Sequence, residues 1–310
     1  MESFLEGREV RVTGLGCHTS WKKTYCGVPQ GSSVSPVLFV LYTNDLKVQN
    51  PEAVNLGVFA DDTAFWTKSQ YDFRDGKAFQ EELDNLKKWC RKWKLVLNPT
   101  KTERLKLTGN KQRTVHKVGN WKLTLGGQEV RKVKTLKYLG VVLDSKLQFD
   151  EHAHKVENTL KAQLCALYKL TTNFGSVNPV ILVQLYKLQS RPVWEYGAEF
   201  YLNTKTKVER LQRLQNKFVR AACPVARSAP VDVVHVVVNL ELVEHRLELL
   251  QLKYLNRLAL SPTYHPLFQV RAQLHNARKW TGTYLRKSAV LRSVWRANQA
   301  ERGLATSFAK

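Results

Sequence analysis

The sequence predicts an α+β chain: an antiparallel sheet with packed helices in its first half, and mostly helices in its second. Three observations carry this. Up to residue 149, β-branched and aromatic runs alternate with turn residues, as short strands do. From Asp150 onward, apolar residues recur at helical spacing instead. A length of 310 residues allows a sizeable core and about two domains. The expected organisation is a sheet-containing part over residues 1–149, a helical part over 150–260 and a basic extension over 261–310.

In chain order, residues 9–13 alternate like a strand, and residues 21–25 can pair with them across a glycine-containing turn. Residues 27–33 read as a loop with glycines near both ends, where backbone freedom is needed. Ser35 is placed as the N-cap of a helix, with Pro36 first inside it and residues 37–42 continuing as a buried run. Residues 55–59 and 64–67 are expected to pair, which makes residues 60–63 a hairpin turn and sets Asp61 and Asp62 at the tip of a buried ladder. Phe79, Leu83, Leu86, Cys90 and Trp93 then form one face of an amphipathic helix, a core stripe that Asn98-Pro99 breaks. Residues 123–130 read as strand, Gly-Gly turn and strand, and residues 133–143 as further β structure. In the helical part, Asn178-Pro179 starts one helix. Val208, Leu211, Leu214 and Phe218 mark a second, whose Lys207, Arg210, Arg213, Lys217 and Arg220 give it a basic surface. Leu247, Leu250, Tyr254 and Leu258 mark a third.

The charge is strongly basic and uneven. There are 49 Lys and Arg against 26 Asp and Glu, a formal net charge of +23, which points to a polyanionic partner. Residues 87–137 hold 16 basic and 2 acidic residues, and residues 261–310 hold 9 and 1. Trp89, Trp93 and Trp121 lie within the first run, where they could stack on bases or belong to the core. The cysteines, at 17, 26, 90, 165 and 223, form no C-x-x-C pair, so neither a zinc module nor a disulfide-linked partner is expected. No apolar run reaches membrane-spanning length and the first residues mix charges of both signs, so an intracellular setting with no membrane partner is expected.

Two adjacent carboxylates are the chemical centre of this reading. Asp-Asp in a turn is ordinary turn chemistry by itself, because Asp accepts local backbone hydrogen bonds. The alternative is a divalent cation that offsets their repulsion, and oxygen-only ligands suit Mg²⁺. The context that decides is Gly27-Val28-Pro29-Gln30-Gly31-Ser32-Ser33-Val34-Ser35-Pro36 upstream, then Phe59-Ala60-Asp61-Asp62, Asn98-Pro99-Thr100-Lys101-Thr102 and Leu139-Gly140-Val141-Val142-Leu143-Asp144. In this order and spacing, over residues 27–144, the four motifs resemble the palm of a reverse transcriptase, most of all those of non-LTR retrotransposons of the jockey-like insect type.

That resemblance implies the rest of the functional reading. The fold would be a partial right-hand polymerase palm followed by a helical thumb that cradles the product duplex. The reaction would be template-directed nucleotidyl transfer with two Mg²⁺ ions. Asp61 and Asp62 would be metal ligands and catalytic residues, and Lys101 a cation near the triphosphate. Pro29, Gln30, Gly31 and Ser32 would contact the nucleotide and template, and Tyr138, Leu139 and Gly140 would grip the primer. The partners would be an RNA template, a DNA primer and deoxynucleotide triphosphates. Such elements act in the nucleus after a cytoplasmic ribonucleoprotein stage.

The sequence departs from the family pattern at one point. The family draws a third metal-binding Asp from a strand some tens of residues before the PQG loop, and residues 1–26 contain no Asp. The nucleotide-gripping fingers before that strand are also absent. The resemblance therefore implies a C-terminal fragment that is inactive by itself, with a palm sheet missing a central strand and exposing an edge. A second reading is a noncatalytic nucleic-acid-binding remnant. A third, an unrelated basic helical interaction protein, requires four ordered motif matches by chance.

Overall fold

The computed structural model describes residues 2–67, 72–107, 122–173, 177–223, 228–260 and 262. Trp121 and, apart from Pro262, the basic extension lie outside them. The chain forms two compact units. The first comprises residues 1–104 and 113–132, the second residues 105–112 and 133–310. Residues 133–149 thus group with the helices.

The first unit opens with a short helix α1 (Glu2–Leu5) and a two-stranded ribbon. Strands β1 (Glu9–Val10) and β4 (Lys22–Lys23) pair antiparallel, and β2 (Thr13–Gly14) pairs with β3 (Cys17–His18) nearer the tip. The register slips by one residue between Val10↔Lys22 and Thr13↔His18, which marks a bulge. Leu15 and Gly16 both have positive φ, 50° and 79°, the signature of a tight two-residue hairpin turn.

Helix α2 (Ser35–Thr43) follows the PQG loop, with Val34 and not Ser35 at its N-cap position. Ser35 has turned its hydroxyl back to donate to the Pro29 carbonyl at 2.6 Å, so it closes the loop instead of capping the helix. The run expected to be buried is largely exposed: Val37, Val40, Leu41 and Tyr42 all meet solvent and Ser35 alone is buried. An all-apolar run has no polar face to choose, so its burial depends on what packs around it.

Strands β5 (Asn55–Phe59) and β6 (Asp62–Trp66) form an antiparallel hairpin. The amphipathic helix is α3 (Asp72–Lys92). Its Leu83 packs with Leu123, Leu125 and Val130 of the Gly-Gly hairpin β8 (Thr124–Leu125) and β9 (Gln128–Glu129), and Phe65, Phe79 and Leu97 press against that cluster. Gln80 fastens the same contact, donating to the Thr124 carbonyl at 3.0 Å and accepting from its N–H at 2.9 Å. Strands β7 (Glu103–Leu105) and β10 (Arg131–Val133) flank this hairpin.

Helix α3 ends before Asn98-Pro99. The Leu95 N–H reaches the Cys90 carbonyl at 2.8 Å and the Lys94 N–H the Arg91 carbonyl at 3.3 Å, while Lys94 sits at φ 55°. This is a Schellman closure with lysine where glycine is favoured. Lys94→Gly is therefore expected to raise stability by about 0.5–1 kcal/mol, because an L side chain is strained in that conformation; a thermal melt followed by circular dichroism checks it.

Trp89 and Trp93 have a structural task here. Their indole N–H groups donate to the two carboxylate oxygens of Asp45, at 2.8 and 3.0 Å, and tie α3 to the end of α2. Desolvation pushes the Asp45 carboxyl up, but the two indole donors, Lys92 and its own backbone N–H outweigh that and hold it below the usual carboxylate range.

The second unit begins with the hairpin β11 (Thr135–Tyr138) and β12 (Val141–Asp144) and continues in helices. Helix α4 (Asp150–Asn173) packs along α8 (Lys205–Ala222), with α5 (Pro179–Leu185), a π-helical turn Tyr186–Ser190, α6 (Arg191–Glu195) and α7 (Ala198–Tyr201) between them in sequence. Helices α9 (Val231–Val237) and α10 (Val243–Leu260) complete it. Asn178 caps α5 by accepting the Val180 N–H at 2.9 Å, as Asn-Pro predicts. The α8 face named from the sequence is buried in full, beside Leu160, Trp194, Tyr201 and Leu247.

The basic surface assigned to α8 is reduced. Lys207 is buried, its side chain 6% exposed, and pairs with Asp150 at 2.9 Å. Arg210 binds Glu157 at 2.7 Å, and Arg220 donates to the Ala229 carbonyl at 2.8 Å. Spacing marks a charge as lying off the apolar stripe; a neighbouring helix then decides whether it meets solvent.

Candidate active site

The site is built from the base of the β5–β6 hairpin upward. Glu82 on α3 is buried, and its carboxylate accepts the backbone N–H groups of Gln49 and Asn50, both at 2.9 Å. Asn50 in turn holds the Val54 N–H through its carbonyl at 3.0 Å, and Val54 is fully buried. The chain therefore enters β5 from a fixed point on α3. Phe65 on β6 packs against the core formed with α3, which fixes the other strand.

From that base the ladder runs Asn55↔Trp66 through Phe59↔Asp62. The turn is shorter than the four residues expected, because Asp62 and Thr63 pair in β6 and only Ala60 and Asp61 remain in the loop. Ala60 has φ 50° while Asp61 does not share the positive φ. Positive φ at the first loop position alone is the sign pattern of a type II′ turn, whose twist matches the strands. The ladder is also less buried than expected at its tip, where Val58, Phe59, Ala60, Asp61 and Asp62 are exposed. Neither aspartate side chain is hydrogen-bonded or ion-paired among the described residues, so both carboxylates are available to a ligand. Ordinary turn chemistry, in which an Asp side chain bonds its local backbone, has no such hydrogen bond here.

The PQG loop is braced at both ends. Arg8 donates to the Cys26 and Gly27 carbonyls at 3.2 and 2.6 Å, and Ser35 holds Pro29. Gly27 and Gly31 take φ of 79° and 91°, which L side chains rarely adopt. Ser32 accepts the Val34 N–H at 3.3 Å. Between the braces Gln30 and Gly31 are exposed, and the Gln30 amide has no partner among the described residues. Lys101 ends a short 3₁₀ turn, Pro99–Lys101, capped by Asn98, which accepts the Thr100 and Lys101 N–H groups at 3.1 and 3.3 Å. Its side chain is exposed and makes no ion pair among the described residues.

Asp61, Asp62, Lys101 and residues 29–32 all belong to the first unit; Tyr138, Leu139 and Gly140 belong to the second. Leu139 and Gly140 form the β11–β12 turn, with φ 46° and 85°, both positive as a type I′ turn requires. The sequence did not single out the residue that supports this turn. Tyr196, 57 residues on, donates its hydroxyl to the Leu139 carbonyl at 2.7 Å. Its ring lies where a side chain at Gly140 would go, 3.2 Å from that Cβ position. No local signal marks Tyr196, since its task depends on a distant turn.

Asp61 and Asp62 offer two oxygen-donor carboxylates without nitrogen or sulfur ligands, a donor set that fits a hard cation such as Mg²⁺. Among the described residues no group of three or more His, Cys, Asp or Glu gathers as a complete metal cage. All five cysteines are free, and no described helix is long and apolar enough to cross a membrane.

Residues 2–143 match the family model described as reverse transcriptase (RNA-dependent DNA polymerase). The chain is 30% identical to the RNA-directed DNA polymerase from mobile element jockey of Drosophila funebris, over 71% of this chain and 24% of that protein. It is 28% identical to the probable RNA-directed DNA polymerase from transposon X-element of Drosophila melanogaster, over 71% and 24%. The transposon BS protein of the same species is 28% identical over 83% and 29%. The chain thus spans about a quarter of the length of these curated relatives. No solved structure matches it. Residues 2–143, which carry the paired aspartates, are thus part of a reverse transcriptase domain.

Proposed function

We propose that this chain is the later palm and the thumb of an RNA-directed DNA polymerase that copies the RNA of a mobile element into DNA. One observation carries the reading: an exposed, unpaired Asp61-Asp62 at a two-residue hairpin turn, in ordered company with the PQG loop and the Lys101 motif. Asp61 and Asp62 would hold Mg²⁺, which when bound activates the primer hydroxyl and stabilises the leaving pyrophosphate. Lys101 would offset triphosphate charge, as cationic clamps do in phosphoryl transfer. Pro29, Gln30, Gly31 and Ser32 would line the incoming nucleotide and template. Tyr138, Leu139 and Gly140 would hold the DNA primer, with Tyr196 positioning their turn. The helices from Asp150 to Leu260 would serve as the thumb, and the work would take place in the nucleus. Two-metal catalysis would require a third carboxylate beside Asp61 and Asp62, as the family pattern implies.

The test is a chimera in which residues 2–143 replace the matching segment of the jockey polymerase. Mg²⁺-dependent primer extension is expected, and Asp61→Asn is expected to lower it by at least about 10²–10³-fold, the scale on which a lost electrostatic stabiliser registers. A folded chimera that binds primer–template but does not extend it overturns the catalytic reading. The noncatalytic nucleic-acid-binding remnant, favoured by the net charge of +23, would then stand in its place.

A further inference from the structure

The ribbon formed by β1 to β4 is exposed along its strands, and Val10, Val12, Leu15, Trp21 and Tyr25 all meet solvent. A two-stranded ribbon with both faces wet has little core to hold it. Its residues nevertheless have a definite order. Strand β4 covers only Lys22–Lys23, and Trp21 and Tyr25 stand two residues to either side of Lys23, the spacing that sets residues of an extended chain on one face. Arg11, between β1 and β2, lies over the Trp21 ring, 4.7 Å from its centroid, and holds the indole from one side. Trp21 is still 57% exposed and Tyr25 89%. Residues 8–25 carry four Lys and Arg against one acid, Glu9, which sits across from Lys23.

We propose that the Trp21–Lys23–Tyr25 face is a binding site for single-stranded nucleic acid. Every base has a face that can stack on an aromatic ring, and Lys23 and Arg11 meet the phosphates between stacked bases. A duplex hides those base faces, so this surface discriminates in favour of an unpaired strand. The site joins directly to the PQG loop. Arg8, paired with Thr24 through the backbone at 2.9 Å, is the residue that grips the Cys26 and Gly27 carbonyls. The ribbon therefore delivers a strand to the loop that carries Gln30. That this strand is the template rests on the polymerase reading above; the binding face itself does not.

The experiment is fluorescence anisotropy of a labelled oligouridine RNA titrated with the whole chain, beside the same strand annealed to its complement. Trp21→Ala and Tyr25→Ala are each expected to weaken single-strand binding by about 5- to 100-fold, from the usual worth of one base stack. Trp21→Phe and Tyr25→Phe keep a ring and are expected to restore most of it, which separates stacking from misfolding. Lys23→Gln is expected to reduce the slope of log affinity against log salt by about 0.7. Asp61→Asn should leave all of this unchanged, so an inactive chimera with intact oligouridine binding sinks the polymerase reading alone. Unchanged binding by both alanine variants overturns the site, and so does equal affinity for the duplex with equal loss in those variants.

Discussion

Trp194→Ala is expected to destabilise the helical unit by about 3–5 kcal/mol, the cost of removing a large aromatic from a packed core. Trp194 is 1% exposed, and it is also part of a buried polar chain. Its indole N–H donates to the Tyr186 hydroxyl at 3.2 Å, which donates to Gln215 at 2.8 Å, whose amide reaches the Glu241 carbonyl at 2.7 Å. The Trp194 carbonyl accepts the Tyr201 hydroxyl at 2.7 Å. Burial pushes both phenols far above their ordinary pKa, so they stay neutral donors. The π-helical turn at Tyr186–Ser190 explains how residues eight apart meet, since one inserted residue brings them near the seven-residue spacing that shares a helix face. Trp194→Phe keeps most of the volume and gives up one hydrogen bond, so it should cost only about 1 kcal/mol. Urea unfolding followed by far-ultraviolet circular dichroism distinguishes them, and equal losses would show that the polar chain outweighs the packing.

The second large effect is expected at Asp144, within the last of the four motifs. Its carboxylate accepts the Lys146 and Gln148 N–H groups, both at 3.0 Å, and that of Phe149, and it thereby folds the loop that launches α4. Asp144→Ala leaves three donors without their acceptor and is expected to cost about 2–4 kcal/mol, with Asp144→Asn about half of that. Desolvation raises the Asp144 carboxyl, but the three N–H groups and Lys207 more than offset it and hold it below its ordinary value. The unfolded chain therefore takes up this proton first as pH falls. The contribution is present above about pH 4 and is lost as pH drops through the lower folded value.

His152 acts in a different window. Burial, then the charge of Lys155, lowers its pKa, while its Nδ1 accepts the Val142 N–H at 3.3 Å. The unfolded imidazole is protonated first, so stability falls as pH drops below about 6.5. A plot of melting temperature against pH should show both limbs, and Asp144→Ala should flatten only the lower one. Loss of the limb that begins near pH 6.5 in that variant would mean that the assignments are wrong.

Much of this protein was legible in its residues. The α8 stripe of Val208, Leu211, Leu214 and Phe218, the Gly126-Gly127 hairpin and the Asn178-Pro179 start are local patterns, and each element appeared where its pattern lay. The family was equally legible, since motif order is a property of the chain itself. Several of the departures share one cause. Ser35, Trp89, Trp93, Lys207 and Arg210 each offered a polar group whose partner stands elsewhere: Pro29, Asp45, Asp150 and Glu157. Tyr196 and Glu82 escaped notice because neither has a role until a distant turn or loop is brought to it.

By itself, then, the sequence determined the type of most of the longer segments, the family that they resemble, and that the two adjacent carboxylates lie at or beside a hairpin turn. Those follow from periodicity, turn chemistry and motif order, which act over a few residues or along the chain. Tertiary structure alone decided that the Asp61 and Asp62 side chains stand exposed and without partners among the described residues, that Trp89 and Trp93 clamp an aspartate, and that Tyr196 supports the Leu139-Gly140 turn. Burial and hydrogen-bond pairing depend on which remote groups pack together, and no local rule carries that information.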